Sequence, residues 1–99
     1  MYGLIGSFTA HPGKRDELMQ SMMSDVGPIP GCLSFIVAKD PADENLVWIT
    51  EVWDSETSHK ASLQMPAIAA SIRKSMPLIT GFGQHTVTEP VGGIGMSGQ

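Results

Sequence analysis

The longest β-branched and aromatic run lies between Asn45 and Trp53. Its side chains divide by period two, with Leu46, Trp48, Thr50 and Val52 on one face and Val47, Ile49, Glu51 and Trp53 on the other. The run predicts a β-strand that stops at Asp54-Ser55-Glu56, residues that cap and open a helix. Both faces are largely apolar, so both need cover. Helices of the same chain can cover one, and the other then needs more chain or a second subunit.

The rest of the pattern fits around that strand. Tyr2 to Thr9 reads as a strand with Tyr2, Leu4, Gly6 and Phe8 opposite Gly3, Ile5, Ser7 and Thr9. Gly3 and Gly6 mark either a bulge or a close approach by another backbone or a ligand. After the turn His11-Pro12-Gly13, the residues Leu18, Met19, Met22, Met23 and Val26 make one helical stripe, which Gly27-Pro28 ends. Such a stripe is core packing, and Met22 with its neighbours can also line an adaptable pocket. Cys32 to Lys39 predicts a second strand, with Leu33, Phe35 and Val37 alternating against Cys32, Ser34, Ile36 and Ala38. The acidic turn Asp40 to Asn45 makes it a hairpin with the central strand. The helix from Asp54 runs to about Gln64, where Met65-Pro66 interrupts it. Ile68, Ile72, Met76 and Ile79 continue at helical spacing until Pro77 ends or kinks the segment. Gly81 to Glu89 predicts the last strand, with Phe82, Gln84, Thr86 and Thr88 opposing Gly83, His85, Val87 and Glu89.

The order βαββαβ predicts an α+β, ferredoxin-like fold, an antiparallel sheet with helices on one face. Its other face suits a two-fold homodimer packed sheet on sheet. Residues 1–89 are expected to form one domain, and 90–99 a Gly-rich tail of linker-like composition that a partner subunit could hold.

Composition sharpens this. Charged residues are 16% of the chain, below the usual quarter or so, while hydrophobic residues are 41%; association would hide some of that surface. A formal charge of −4, with Lys14-Arg15 and Arg73-Lys74 as the paired bases, argues against nucleic acid as a partner. A single cysteine, Cys32, forms no intrachain disulfide and fits a reducing cytoplasm. No basic leader and no apolar run of about 18 residues is present, so no membrane association is expected. Three histidines without close spacing do not make a metal site.

Three pieces carry a resemblance: His11-Pro12-Gly13-Lys14, Pro30-Gly31-Cys32-Leu33-Ser34-Phe35 and Glu51-Val52-Trp53-Asp54-Ser55-Glu56. In their order and spacing, across about residues 2–89, the chain resembles the antibiotic biosynthesis monooxygenase family of the dimeric α+β barrel superfamily. The resemblance implies oxygenation of a quinol or phenolic small molecule by O2 without metal, flavin or haem. The substrate is deprotonated in an apolar cavity, and its anion reduces oxygen. Many relatives carry Ala-His in the second helix where this chain has Ala61-Ser62, and a further histidine where it has Ala67. The haem-cleaving branch uses an Asn, a Trp and a His where Ser7, Ser62 and Ser71 stand, so haem cleavage is not expected.

Under that reading His59 is the candidate catalytic base, or else a partly exposed helix histidine without a role. Trp53 and Trp48 lie on opposite faces, so at most one serves as a platform for an aromatic substrate; core or interface packing is the alternative for each. Glu51 could orient a histidine or make a cross-strand contact. Ser62 and Ser7 are candidates for hydrogen-bonding the substrate, and His85 for the cavity or the dimer interface. His11 is expected in solvent, and Cys32 as a small packing residue. Two other activities fit the same scaffold: a non-catalytic small-molecule-binding or stress-response dimer, and an isomerase or other proton-transfer enzyme.

Overall fold

The computed structural model describes residues 1–24 and 28–95. Four strands, β1 (Tyr2–Ala10), β2 (Cys32–Lys39), β3 (Leu46–Trp53) and β4 (Ile79–Thr88), form one antiparallel sheet in the order β2-β3-β1-β4. Helices α1 (Arg15–Met22), α2 (Glu56–Ser62) and α3 (Pro66–Ser75) supply the helical layer, and a 3-10 turn over Met76–Leu78 leads into β4. This is the ferredoxin-like α+β arrangement. Among the described residues no helix is long and apolar enough to cross a membrane.

On β3, Val47, Glu51 and Trp53 are buried beneath the helices. Their partners Phe8, Leu4 and Tyr2 on β1 share that face. The core sits at the hairpin end of the sheet, where Ala10, Leu18, Met19 and Val47 cluster and Met22, Val37, Leu78 and Ile79 pack against them. Arg15 pins this end by donating from one guanidinium nitrogen to the carbonyls of Asp43 at 2.8 Å, Asp40 at 3.3 Å and Leu46 at 3.4 Å. The Asp40 carboxylate closes the turn itself, accepting from the backbone N–H of Ala42 and Asp43.

Serines join α1 to α3. Ser71 Oγ donates to the Ser21 carbonyl at 2.7 Å, and Ser21 Oγ lies 2.8 Å from Ser75 Oγ. Small polar side chains let the two backbones approach while leaving no hydroxyl stranded.

The sequence pattern and the structure part in four places. Helix α1 ends at Met22, with Met23 as its C-cap; Val26 and Gly27, assigned to the stripe and its stop, lie outside the described residues. Ile79 opens β4 in an extended conformation rather than continuing the α3 stripe, because Pro77 has already tightened the chain into the 3-10 turn. The alternation expected in β4 is broken by a bulge. Gly6 pairs with His85 and Phe8 with Phe82, so Ser7 faces two residues of β4, and Phe82 and His85 come to one face. Ser7 Oγ accepts the Gln84 N–H at 2.7 Å, and a Cβ on Gly83 would collide with that hydroxyl. A second irregularity, between Cys32 and Ser34, puts Cys32 on the face of Phe35 and Val37. The tail beyond Thr88 has no regular structure through Gly95, with Val91 and Ile94 fully open to solvent, and Met96–Gln99 lie outside the described residues.

Gly31 joins the loop before β2 to the start of α2. It adopts φ +82°, its carbonyl accepts the Asp54 N–H at 2.8 Å, and an added Cβ would lie 2.5 Å from Ser58. Gly13 has a similar φ of +79° with open space around it. Gly13→Ala should therefore lose about 1–2 kcal/mol for its left-handed backbone alone. Gly31→Ala should lose that and a further ~1–3 kcal/mol for the clash. Urea unfolding of both variants measures the gap, and equal losses would remove the packing role given to Gly31.

Candidate functional site

A cavity of about 540 Å³ opens between the helices and the sheet, reaching from Ile79 and Phe8 beside the core to Trp53 at the far end of β3. The sheet side is built from Phe8, Ile49, Glu51 and Trp53, flanked by Phe35 of β2 and Phe82 of β4. The β4 bulge is what brings Phe82 edge-on to Phe8, with centroids 5.6 Å apart at 78°. Helix α1 and its cap contribute Met22 and Met23; α2 and α3 contribute His59, Ser62, Ile68, Ser71, Ile72 and Ser75.

The chemistry is concentrated on one wall. Glu51 and Trp53 are two residues apart on β3 and so point the same way. The Trp53 Nε1–H donates to Glu51 Oε1 at 3.0 Å, with both residues under 10% exposed. Helix α2 sets His59 over them. Ser55 caps that helix, its Oγ accepting the Ser58 N–H at 3.1 Å. His59 Nε2 then stands 4.0 Å from Glu51 Oε1, with its ring edge-on to Trp53 at 5.3 Å and tilted against Tyr2 at 5.6 Å. Burial pushes the Glu51 carboxyl above the ordinary glutamate range, opposed by the Trp53 hydrogen bond and the charges of His59 and His85. An imidazole next to a buried carboxylate and an open apolar space can accept a proton from a bound molecule and be stabilised as a cation afterwards.

The other candidates divide cleanly. Met22, Trp53, His59 and Ser62 line the cavity. The Ser62 hydroxyl donates to the His59 carbonyl at 2.6 Å, so it fixes the helix turn that carries the imidazole. Trp48 points to the opposite sheet face and gives its N–H to Asp40 Oδ1 at 2.9 Å, which lowers the Asp40 pKa. Ser7 is also on that face, committed to the bulge. His85 is exposed on β4; its charge reaches Glu51, but it does not line the cavity. Cys32 is partly buried near Glu51, and burial and that carboxylate raise its thiol pKa. Tyr2, Phe8, Phe35 and Phe82 were absent from the sequence candidates. The alternation of β1 could have named Tyr2 and Phe8, whereas the bulges hid the facing of the others.

Fold and cavity define a ferredoxin-like protein with a small-molecule-sized pocket, and comparison with known proteins supplies the family. The profile of the antibiotic biosynthesis monooxygenase family matches residues 1–74, and the chain belongs to that family. A solved protein of Chloroflexus aurantiacus J-10-fl, provisionally named as an antibiotic biosynthesis monooxygenase, is 49% identical with TM-score 0.93, covering 97% of this chain and 98% of its own. A protein of Deinococcus radiodurans, provisionally given the same name, shares 24% identity at TM-score 0.77, over 99% of this chain and 100% of its own. Rv0793 of Mycobacterium tuberculosis shares 20% at TM-score 0.74, over 94% and 97%. The last two likenesses show the fold alone. No curated protein matches the chain.

Since the folded protein holds a proton on Glu51 more tightly than the unfolded chain does, folding should weaken as pH rises from the ordinary glutamate value of about 4.5 through the raised one. Glu51→Gln keeps an acceptor for Trp53 and removes that titration. The wild-type melting temperature minus that of Glu51→Gln should therefore fall as pH increases across this window. A difference that stays flat or rises would show that burial does not govern Glu51.

Proposed function

We propose that the chain is a cofactor-independent monooxygenase acting on a quinol or phenolic small molecule, with His59 as the base. The observation that carries this reading is the His59 imidazole standing 4.0 Å from the buried Glu51 carboxylate on the wall of an apolar cavity. Family membership supports it. His59 takes the phenol proton, and Glu51 stabilises the resulting imidazolium. The phenolate then passes one electron to O2. The phenoxyl radical and superoxide join at a ring carbon that still bears hydrogen, and the peroxide takes the proton back from His59. Loss of water from that carbon leaves a carbonyl. Overall, a phenol and O2 become a quinone and water. Trp53 forms the aromatic side of the substrate space, Met22 a pliable part of its wall, and Ser62 holds His59 in place. Ser7, Trp48 and His85 are given no substrate contact.

Oxygen uptake by metal-stripped protein with reduced hydroquinones and anthrones tests this. Uptake should exceed autoxidation and fall at least about 100-fold in His59→Ala. Unchanged uptake in that variant would remove His59 as the base. Saturable binding without uptake would make the chain a binding protein on the same scaffold.

We further infer a homodimer packed sheet on sheet. The face away from the helices carries Ile36 at 56% and Ile5 at 36% exposure beside half-buried Leu46, Trp48 and Val52, an apolar patch that a second copy would cover. Sedimentation should give a dimer for the wild type and a monomer for Ile36→Asp. A monomeric wild type at micromolar concentration would overturn the assembly.

A further inference from the structure

The geometry points to an uncharged ligand: the cavity takes a flat, mostly apolar phenol or hydroquinone without carboxylate, sulfate or phosphate groups, and Glu51 is the residue that rejects the anionic ones. This rests on reading the cavity as the substrate site, and it narrows the substrate class.

The argument begins with the cations. The chain has six lysines and arginines, and none of them lines the cavity. Lys14 lies 3.6 Å from Glu17, Lys39 lies 3.9 Å from Asp16, and Lys60 lies 3.6 Å from Glu56. Arg15 is spent on the carbonyls of the hairpin. Arg73 and Lys74 are exposed in the last turn of α3.

The titratable groups that interact with Glu51 or surround it come from three strands and one helix. From β3 comes Glu51, buried and acidic; from α2, His59, whose positive charge when protonated is already opposite Glu51 at 4.0 Å. From β2 comes Cys32, a thiol that burial keeps protonated; from β4, His85, exposed and also balanced against Glu51. Among the described residues that line the cavity there is no lysine or arginine to meet a ligand anion. A carboxylate entering this space would give up its hydration for serine hydroxyls and apolar walls, beside a carboxylate of the same sign. A neutral hydroxyl meets no such penalty and finds an acceptor on the wall. A volume of about 540 Å³ suits a molecule of about two or three fused rings.

The test is calorimetric titration without oxygen, at neutral pH, of naphthohydroquinone and of its ring-carboxylated counterpart. Wild-type protein should bind the carboxylated compound at least about 10-fold more weakly than the neutral one. Glu51→Gln, which keeps size and acceptor but removes the charge, should narrow that gap by about 5-fold or more. Equal or tighter binding of the carboxylated compound by the wild type would overturn the proposal. A gap unchanged in Glu51→Gln would overturn the part given to Glu51. Absence of binding by either compound up to its solubility would overturn both the proposal and the cavity as ligand site. Because no oxygen is present, neutral-selective binding stands even where turnover fails, so the two readings fail separately.

Discussion

A carboxylate placed on the inner face of a sheet must be held or neutralised, and the disposition of the site follows from how Glu51 is held. Its strand neighbours on that face are apolar, and only 8% of the residue is exposed. The Trp53 indole N–H satisfies one oxygen, which ties the orientation of the indole that lines the cavity to the carboxylate two residues earlier. The imidazole of His59 stands 4.0 Å away, and its position depends in turn on a helix started by Ser55 and braced by Ser62. Removing the carboxylate while keeping its shape costs the fold little in principle, whereas leaving it without Trp53 or His59 would expose the full desolvation penalty of a buried charge.

The sheet separates two tasks along its length. At the hairpin end, Leu18 and Val47 are fully buried, and Arg15 gathers three carbonyls into one contact. From Ile79 and Phe8 toward Trp53 the same two layers stand apart and leave the cavity, which is also lined by exposed Met23, Leu63, Ile72 and Met76. A void of that size forgoes dispersion contacts that a filled core would make. The serine contacts between α1 and α3 hold the roof over the opening without filling it.

The two central strands were legible in the sequence because their information is local. Period-two alternation in β3 separates Trp53 and Glu51 from Trp48 without reference to any other element, and the cap at Ser55 announces α2. The edge strands were legible as strands, but the facing of Cys32 on β2 and of Phe82 relative to His85 on β4 was not, because it is decided by partners far away in the chain. Nothing in the neighbourhood of Gln84 reveals that its N–H meets the hydroxyl of Ser7, seventy-seven positions earlier, yet that bond turns Phe82 and His85 to one face. Likewise the Ser21, Ser71 and Ser75 cluster reads in sequence as ordinary helix-surface polarity. Of the candidate site, Trp53, His59, Ser62 and Met22 were within reach of pattern alone. Ser7 was within reach only as a polar residue on a strand, with no sign that its hydroxyl was already committed.

The bulge also bears on what surrounds Ser62. With Phe82 folded against Phe8, and Phe35 on the opposite edge, the cavity is bounded by aromatic rings on its sheet side and needs few polar groups to orient a flat ligand. Ser62 is then free to bind its own helix instead of the ligand. His59 is the one imidazole among the described residues that line the cavity, with the Glu51 carboxylate 4.0 Å from it. Under the proposed function the proton chemistry would rest on one residue, His59, whose surroundings are fixed from three sides by Glu51, Trp53 and Tyr2.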